Sequence, residues 1–183
     1  MTFTDLSRSK QKWPIFLLAK RLLWIFLWSL VSWLPKSFSI FRVLVLRMFG
    51  ADVGKRCLIM PHTKILMPWN LNLGDFVAIG AGVNIYNFAK VTVGSMTVVS
   101  QDCFLCTGTH DYTVPNMPLV YFPISIGSEC WVTFGVFIHP GVNVADGVVI
   151  GARSVVTKDL IRPWSIYAGH PAAYVKDRMD KGR

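Results

Sequence analysis

Fifteen aliphatic residues recur at six-residue steps between Val53 and Val156, and few folds tolerate such a period. The series runs Val53, Ile59, Ile65; Leu73, Ile79, Ile85; Val93, Val99, Leu105; then Ile126, Val132, Ile138, Val144, Ile150 and Val156. An amphipathic helix returns its apolar stripe every three or four residues, and a half-buried strand alternates every two. A repeat of six predicts a parallel β-helix in which each hexad is a short strand plus a turn.

Small residues keep a fixed phase to these anchors. Glycine follows the anchor directly at Gly54, Gly74, Gly80, Gly94, Gly127 and Gly151, and stands three after it at Gly82, Gly135, Gly141 and Gly147. Both sets predict a backbone turning through conformations that a β-carbon disfavours. Two before the anchor the residues are compact, as at Cys57, Val77, Thr97, Cys103, Cys130 and Ser154, which predicts a narrow inward corner.

The beat breaks three times, each after three anchors: Ile65 to Leu73 and Ile85 to Val93 are steps of eight, and Leu105 to Ile126 is a step of twenty-one. With three hexads per coil, all three insertions leave the prism at one edge. Irregular backbone is where binding and catalytic groups concentrate. This edge extrudes Trp69 and Asn70, then Asn87, then a loop with Thr109, His110 and Asp111. Coils about 4.8 Å apart allow these side chains to share a cleft.

The hexads, the segment Cys106-Thr-Gly-Thr-His110-Asp111, the Trp131 hexad and the run Ile150-Gly-Ala-Arg-Ser-Val-Val-Thr-Lys-Asp159 resemble the left-handed β-helix O-acetyltransferases that use acetyl-CoA. Pro68-Trp-Asn-Leu, Ile85-Tyr-Asn87 and the lead-in from Leu44 to Gly54 are most similar to the colanic-acid-type exopolysaccharide members. The expected fold is all-β: a left-handed parallel β-helix of about five coils, the handedness coming from the resemblance alone. Residues 51–162 form it, with a protruding loop at 106–125. Residues 1–50 form an apolar helical segment, and 163–183 a short extension.

Charge and hydropathy single out the amino-terminal segment. Residues 1–56 hold ten Lys and Arg against Asp5 and Asp52, a net of +8, whereas residues 57–183 come to +1. No nucleic-acid partner is expected. Trp13 to Leu34 is apolar, but Lys20 and Arg21 leave only thirteen uncharged residues, Leu22 to Leu34, short of the roughly 20 that cross a bilayer. Trp13, Trp24, Trp28 and Trp33 beside Lys and Arg fit a helix lying at an anionic membrane surface through residues 8–48, or one packed on the prism or a neighbouring subunit. Phe38 to Phe49 reads as a second helix ended by Gly50. Four cysteines without a cleavable-looking leader point to reduced thiols in the cytoplasm. Three share the compact inward slot, and Cys103-Phe-Leu-Cys106 lacks the further ligands of a zinc site. His62, His139 and His170 are scattered, so no metal is expected.

Acetylating a hydroxyl requires a base, and histidine suits because its proton affinity lies near neutrality. The resemblance makes His110 that base, with Asp111 or a backbone carbonyl orienting its ring. It places Asn87 against the acceptor, with Trp69 and Asn70 as additions. It also places coenzyme A along the later coils beside Trp131, Phe134 and Gly135, with the Phe134 N–H as oxyanion donor, and beside Ala152, Arg153, Thr157 and Lys158. The closing motif is His170-Pro-Ala-Ala173 where such enzymes commonly carry Asn-Pro-Ala-Arg, and Lys176, Arg178 or Arg153 stands in for the missing arginine. The resulting expectation is an acetyl-CoA-dependent sugar O-acetyltransferase, homotrimeric, acting in glycan or exopolysaccharide synthesis. An antibiotic acetyltransferase and a non-catalytic scaffold are the competing readings.

Overall fold

The computed structural model describes residues 4–5 and 13–178. Arg8, Lys10 and Lys12 of the basic segment and residues 179–183 of the extension lie outside them. All fifteen anchors are buried, none more than 6% exposed. They lie on three parallel sheets that wrap one core. The first contains Asp52–Val53, Leu71–Leu73, Val91–Val93, Ile124–Ile126 and Asn143–Val144. The second contains Leu58–Ile59, Ala78–Ile79, Val98–Val99, Trp131–Val132, Val149–Ile150 and Ser165–Ala168, with Ala173–Asp177 added antiparallel. The third contains Lys64–Ile65, Asn84–Tyr86, Phe104–Cys106, Phe137–Ile138 and Val155–Val156. Anchors pair in register, as in Val53 with Leu73, Leu73 with Val93 and Val93 with Ile126, so every coil sets its apolar side chains on those of the next.

The solenoid has about six turns, one more than the hexads suggest. Leu160 bridges Val144, and Ser165–Ala168 continues the second sheet with Tyr167 paired to Ile150. After Val156 the spacing of buried apolar residues becomes four and then seven, which conceals this last turn from a six-residue rule.

The two glycine sets do different work, which corrects the single explanation expected for them. Gly82, Gly135, Gly141 and Gly147 have φ between +66° and +83°, and in other coils Arg56, His62, Asp102 and Arg153 occupy the same slot at φ of 53° to 60°. The slot is left-handed wherever the coil continues without an insertion up to Arg153, and glycine relieves it. Glycines directly after the anchor have no such φ. Their constraint is proximity: a β-carbon on Gly80 would lie 2.5 Å from the Gln101 nitrogen, and one on Gly94 2.5 Å from that of Ser128.

Where the compact slot two before the anchor holds Thr97, Cys103 or Cys130, its side chain bonds to the next coil. Thr97 Oγ1 donates to Gly127 O at 2.8 Å, Cys103 Sγ to Thr133 O at 2.9 Å and Cys130 Sγ to Ala145 O at 3.1 Å. Burial pushes the Cys103 thiol up to about 11, so it stays protonated.

Two helices close the first coil: α1, Ile15–Val31, and α2, Ser39–Met48. A solenoid end leaves backbone groups of three sheets without partners. Each receives its own cap. Arg47 donates to Val53 O and Gly54 O on the first sheet. Arg42, fully buried, donates to Ile59 O on the second and to Val31 O and Leu34 O at the end of α1. Ser39 Oγ accepts from Ile59 N–H. On the third sheet Trp24 Nε1 donates to Ile65 O at 2.8 Å and Trp28 Nε1 to Thr63 O at 2.9 Å. Among the described residues no helix is long and apolar enough to cross a membrane.

Gly94→Ala is expected to destabilise by about 1–3 kcal/mol, because backbone must move to admit the methyl. Gly141→Asn, in a left-handed slot with its nearest contact at 3.4 Å, is expected to cost no more than about 1 kcal/mol. Urea unfolding of both variants checks the distinction.

Candidate active site

The three insertions follow the first three strands of the third sheet and leave at its border with the first sheet. The first is a 3₁₀ turn, Pro68–Asn70. The third is a hairpin in which Gly108–His110 pairs antiparallel with Leu119–Tyr121. Each insertion is bonded to the next. Asn87 is fully buried, its amide oxygen accepting from Met67 N–H at 3.0 Å and its amide nitrogen donating to Met67 O at 2.7 Å. Asn70 Nδ2 donates to Phe88 O at 2.8 Å and to Asn87 O at 3.2 Å. Thr107, also buried, donates through Oγ1 to Tyr86 O and accepts from Ala89 N–H. Asn87 was expected to face the acceptor. The structure instead seals it beneath the edge, with both ends of the amide engaged by Met67. Asn70 likewise staples two insertions together. Trp69 is half-buried, with Lys20 Nζ 4.2 Å from the centre of its ring.

His110 stands exposed on the hairpin, with Nδ1 2.6 Å from Met117 O. A carbonyl oxygen can only accept, so Nδ1 carries a proton, and in the neutral ring the lone pair is on Nε2. The carbonyl thus orients the ring. Asp111 is occupied elsewhere: its carboxylate accepts from Thr113 N–H at 2.9 Å and Thr113 Oγ1–H at 2.6 Å, bonds that hold the carboxyl below its ordinary pKa. It shapes the loop rather than the imidazole. Met117 gave no signal in the sequence because it acts through its main chain, at a left-handed φ of 43°.

The residues assigned to coenzyme A divide between two edges. Thr133-Phe134-Gly135 and Gly151-Ala152-Arg153 are stacked turns at the border of the second and third sheets. Arg153 N–H donates to Phe134 O at 2.8 Å, and the Arg153 guanidinium sits 5.1 Å from the Phe134 ring centre. Among the described residues the Phe134 N–H donates to no protein group. Trp131 is half-exposed on the outer face of the second sheet, its Nε1 donating to Ser100 Oγ at 3.0 Å. Thr157 and Lys158, both exposed, lie on the opposite border, the one that carries His110. Lys176 is exposed on the last strand opposite Ile166. Arg178 is committed to Glu129 O and Gly147 O. The hexads did not reveal a groove of about 480 Å³ on the second sheet, lined in part by Lys36, Leu58, Met60, Ala81, Val98 and Gln101. Among the described residues no three His, Cys, Asp or Glu are grouped to hold a metal.

A parallel solenoid with six-residue sides, extruding one histidine-bearing hairpin, defines the hexapeptide-repeat acetyltransferases, and the chain belongs to this family. It is 39% identical to the colanic acid biosynthesis acetyltransferase WcaF of Escherichia coli (strain K12) over 161 residues, 87% of either chain. Galactoside O-acetyltransferase of the same organism is 32% identical over 143 residues, 76% of this chain and 70% of that one. Among solved structures, a galactoside acetyltransferase in complex with coenzyme A superposes with a TM-score of 0.83 at 26% identity, covering 96% of this chain and 90% of that chain. A maltose O-acetyltransferase from Clostridium difficile 630 gives 0.81 at 27% identity, covering 90% and 89%. No protein-family model matches. The protein is therefore an acetyltransferase, which removes the scaffold reading.

Asp111→Asn is expected to keep the acetyl-transfer rate within about tenfold of wild type, since the carboxylate is engaged by Thr113 and not by the imidazole. A loss as deep as that of His110→Ala would return Asp111 to the chemistry.

Proposed function

We propose that the protein transfers an acetyl group from acetyl-CoA directly to a sugar hydroxyl of an exopolysaccharide or glycan precursor, with His110 as general base. The observation that carries this is the Nδ1 contact with Met117 O, which leaves a basic Nε2 on an exposed hairpin. In the transfer, Nε2 takes the hydroxyl proton while the oxygen attacks the thioester carbonyl carbon. The oxyanion that forms accepts from the Phe134 N–H, a preorganised donor. Collapse breaks the C–S bond, and the imidazolium returns its proton to the departing thiolate. Direct transfer needs no nucleophile on the protein, because holding both substrates together supplies several kcal/mol. The name WcaF and the galactoside and maltose names of the other relatives support a saccharide acceptor, and the coenzyme A complex of the galactoside enzyme supports the donor. The groove on the second sheet, below Trp131, is the acceptor cleft in this reading, in place of Asn87 and Asn70.

The division of the donor residues argues for a site shared between copies of a homotrimer. Outward side chains of the first sheet are polar, Asp52, Asn72, Thr92, Ser125 and Asn143 in register. Those of the third carry aromatics in contact, Phe104 and Phe137 stacked at 5.2 Å and Tyr86 tilted against Phe104 at 6.2 Å. A cyclic trimer that turns the third sheets toward its axis covers these rings. It also sets the Phe134 edge of one copy beside the His110 and Lys158 edge of the next.

The deciding assay is CoA-thiol release from acetyl-CoA over a panel of sugars, nucleotide sugars and lipid-linked glycans. Acceptor-dependent release should fall about 10²–10⁴-fold in His110→Ala; release that survives the change removes the base. For the shared site, His110→Ala and Ala152→Trp chains, each inactive alone, should regain partial activity when co-expressed. Mixed trimers without activity would place the whole site in one copy.

A further inference from the structure

We infer that the outer face of the helical cap is a docking surface for an anionic lipid bilayer. Trp24 and Trp28 turn one side of α1 onto the first coil, and Arg42, Val43 and Leu46 do the same for α2. The opposite sides are apolar and uncovered. Of the 26 large apolar side chains exposed among the described residues, 14 belong to residues 15–48, with Leu22 at 69%, Phe26 at 61%, Trp33 at 64% and Met48 at 66%. At half exposure these amount to something on the order of 1,000 Å² of apolar surface, beyond the few hundred that a soluble monomer commonly shows.

Charge selects the occupant. Lys36, Arg47, Lys55 and Arg56 are exposed around this cap, where Asp52 is the one acidic residue between positions 13 and 56. A second copy docked end to end would bring two strongly basic caps together. An anionic bilayer instead supplies both the apolar layer and the opposite charge. The depth is also right. The 17 residues of α1 span about 25 Å, and its tryptophans tie it sidewise to the solenoid, so it lies along the surface and does not cross it. This surface meets the groove of the second sheet at Lys36, which lines both, but it takes in neither His110 nor Phe134, and neither reading depends on the other.

The test is flotation of the full-length protein with vesicles of phosphatidylcholine alone or with about one-third phosphatidylglycerol. Binding should require the anionic lipid, weaken with salt as surface charges are screened, and fall at least tenfold in Phe26→Glu/Leu30→Glu, with acetyl-CoA binding and melting unchanged. Should that variant not fold, brominated lipid gives a second measurement on wild type: quenching of tryptophan emission that drops by half or more in Trp33→Phe. Protein that stays at the bottom of the gradient with both vesicle types overturns the proposal. So does a lipid-free particle of twice the trimer mass that Phe26→Glu halves, since a second copy would then own the face.

Discussion

A parallel β-helix has a stable interior and an unstable end. Every strand inside it bonds to coils above and below, but the first coil exposes three sheet edges at once, and unpaired edges invite further strands. Here each edge has a named cap: Arg47 on the first sheet, Arg42 and Ser39 on the second, Trp24 and Trp28 on the third. The caps are donors to carbonyls carried on two helices, with Ser39 also accepting from a strand N–H. Burying the Arg42 guanidinium lowers its pKa through desolvation, yet its hydrogen bonds to main-chain carbonyls at both the first coil and the end of α1 make it a joint between the two. Everything above the first coil inherits its register from that fixed start.

Register then decides where chemistry can sit. Anchors pair with anchors over five coils, so an extra residue cannot be absorbed inside a side and must leave at a corner. All three insertions leave at the same corner. Asn87, Asn70 and Thr107 bond them into a stack, on which the hairpin stands with Phe88 and Tyr121 rings 6.2 Å apart. Polar residues that a sequence reading offers to the substrate are here the mortar that fixes the height and angle of His110.

The parts legible in the sequence were those encoded by side-chain type at a fixed phase. The anchors, the shared edge of the insertions, and the helix ended by Gly50 were all visible, and Gly50 takes φ +93°. What escaped was encoded in the backbone or in distance. Two glycine sets look alike on paper, yet one answers to a dihedral angle and the other to a neighbouring coil 2.5 Å from a missing methyl. The sixth turn vanished because its spacing departs from six. The burial of Asn87 was not legible because a buried amide and an exposed one have the same letter. The partner of His110 is a carbonyl, which every residue possesses and no sequence marks.

The same distinction separates the two halves of the site. The hairpin that carries His110 is held by main chain at Met117, Pro118 and Thr107, so residues along the loop surface can vary without turning the imidazole. The Phe134 N–H, the proposed oxyanion donor, lies in a turn whose other groups are bonded to coils on both sides, Gly135 N–H to Gln101 O and Phe134 O to Arg153 N–H. Neither of these two proposed elements is held by a side-chain partner. A solenoid edge arranged this way holds its backbone geometry constant while the loops around it vary.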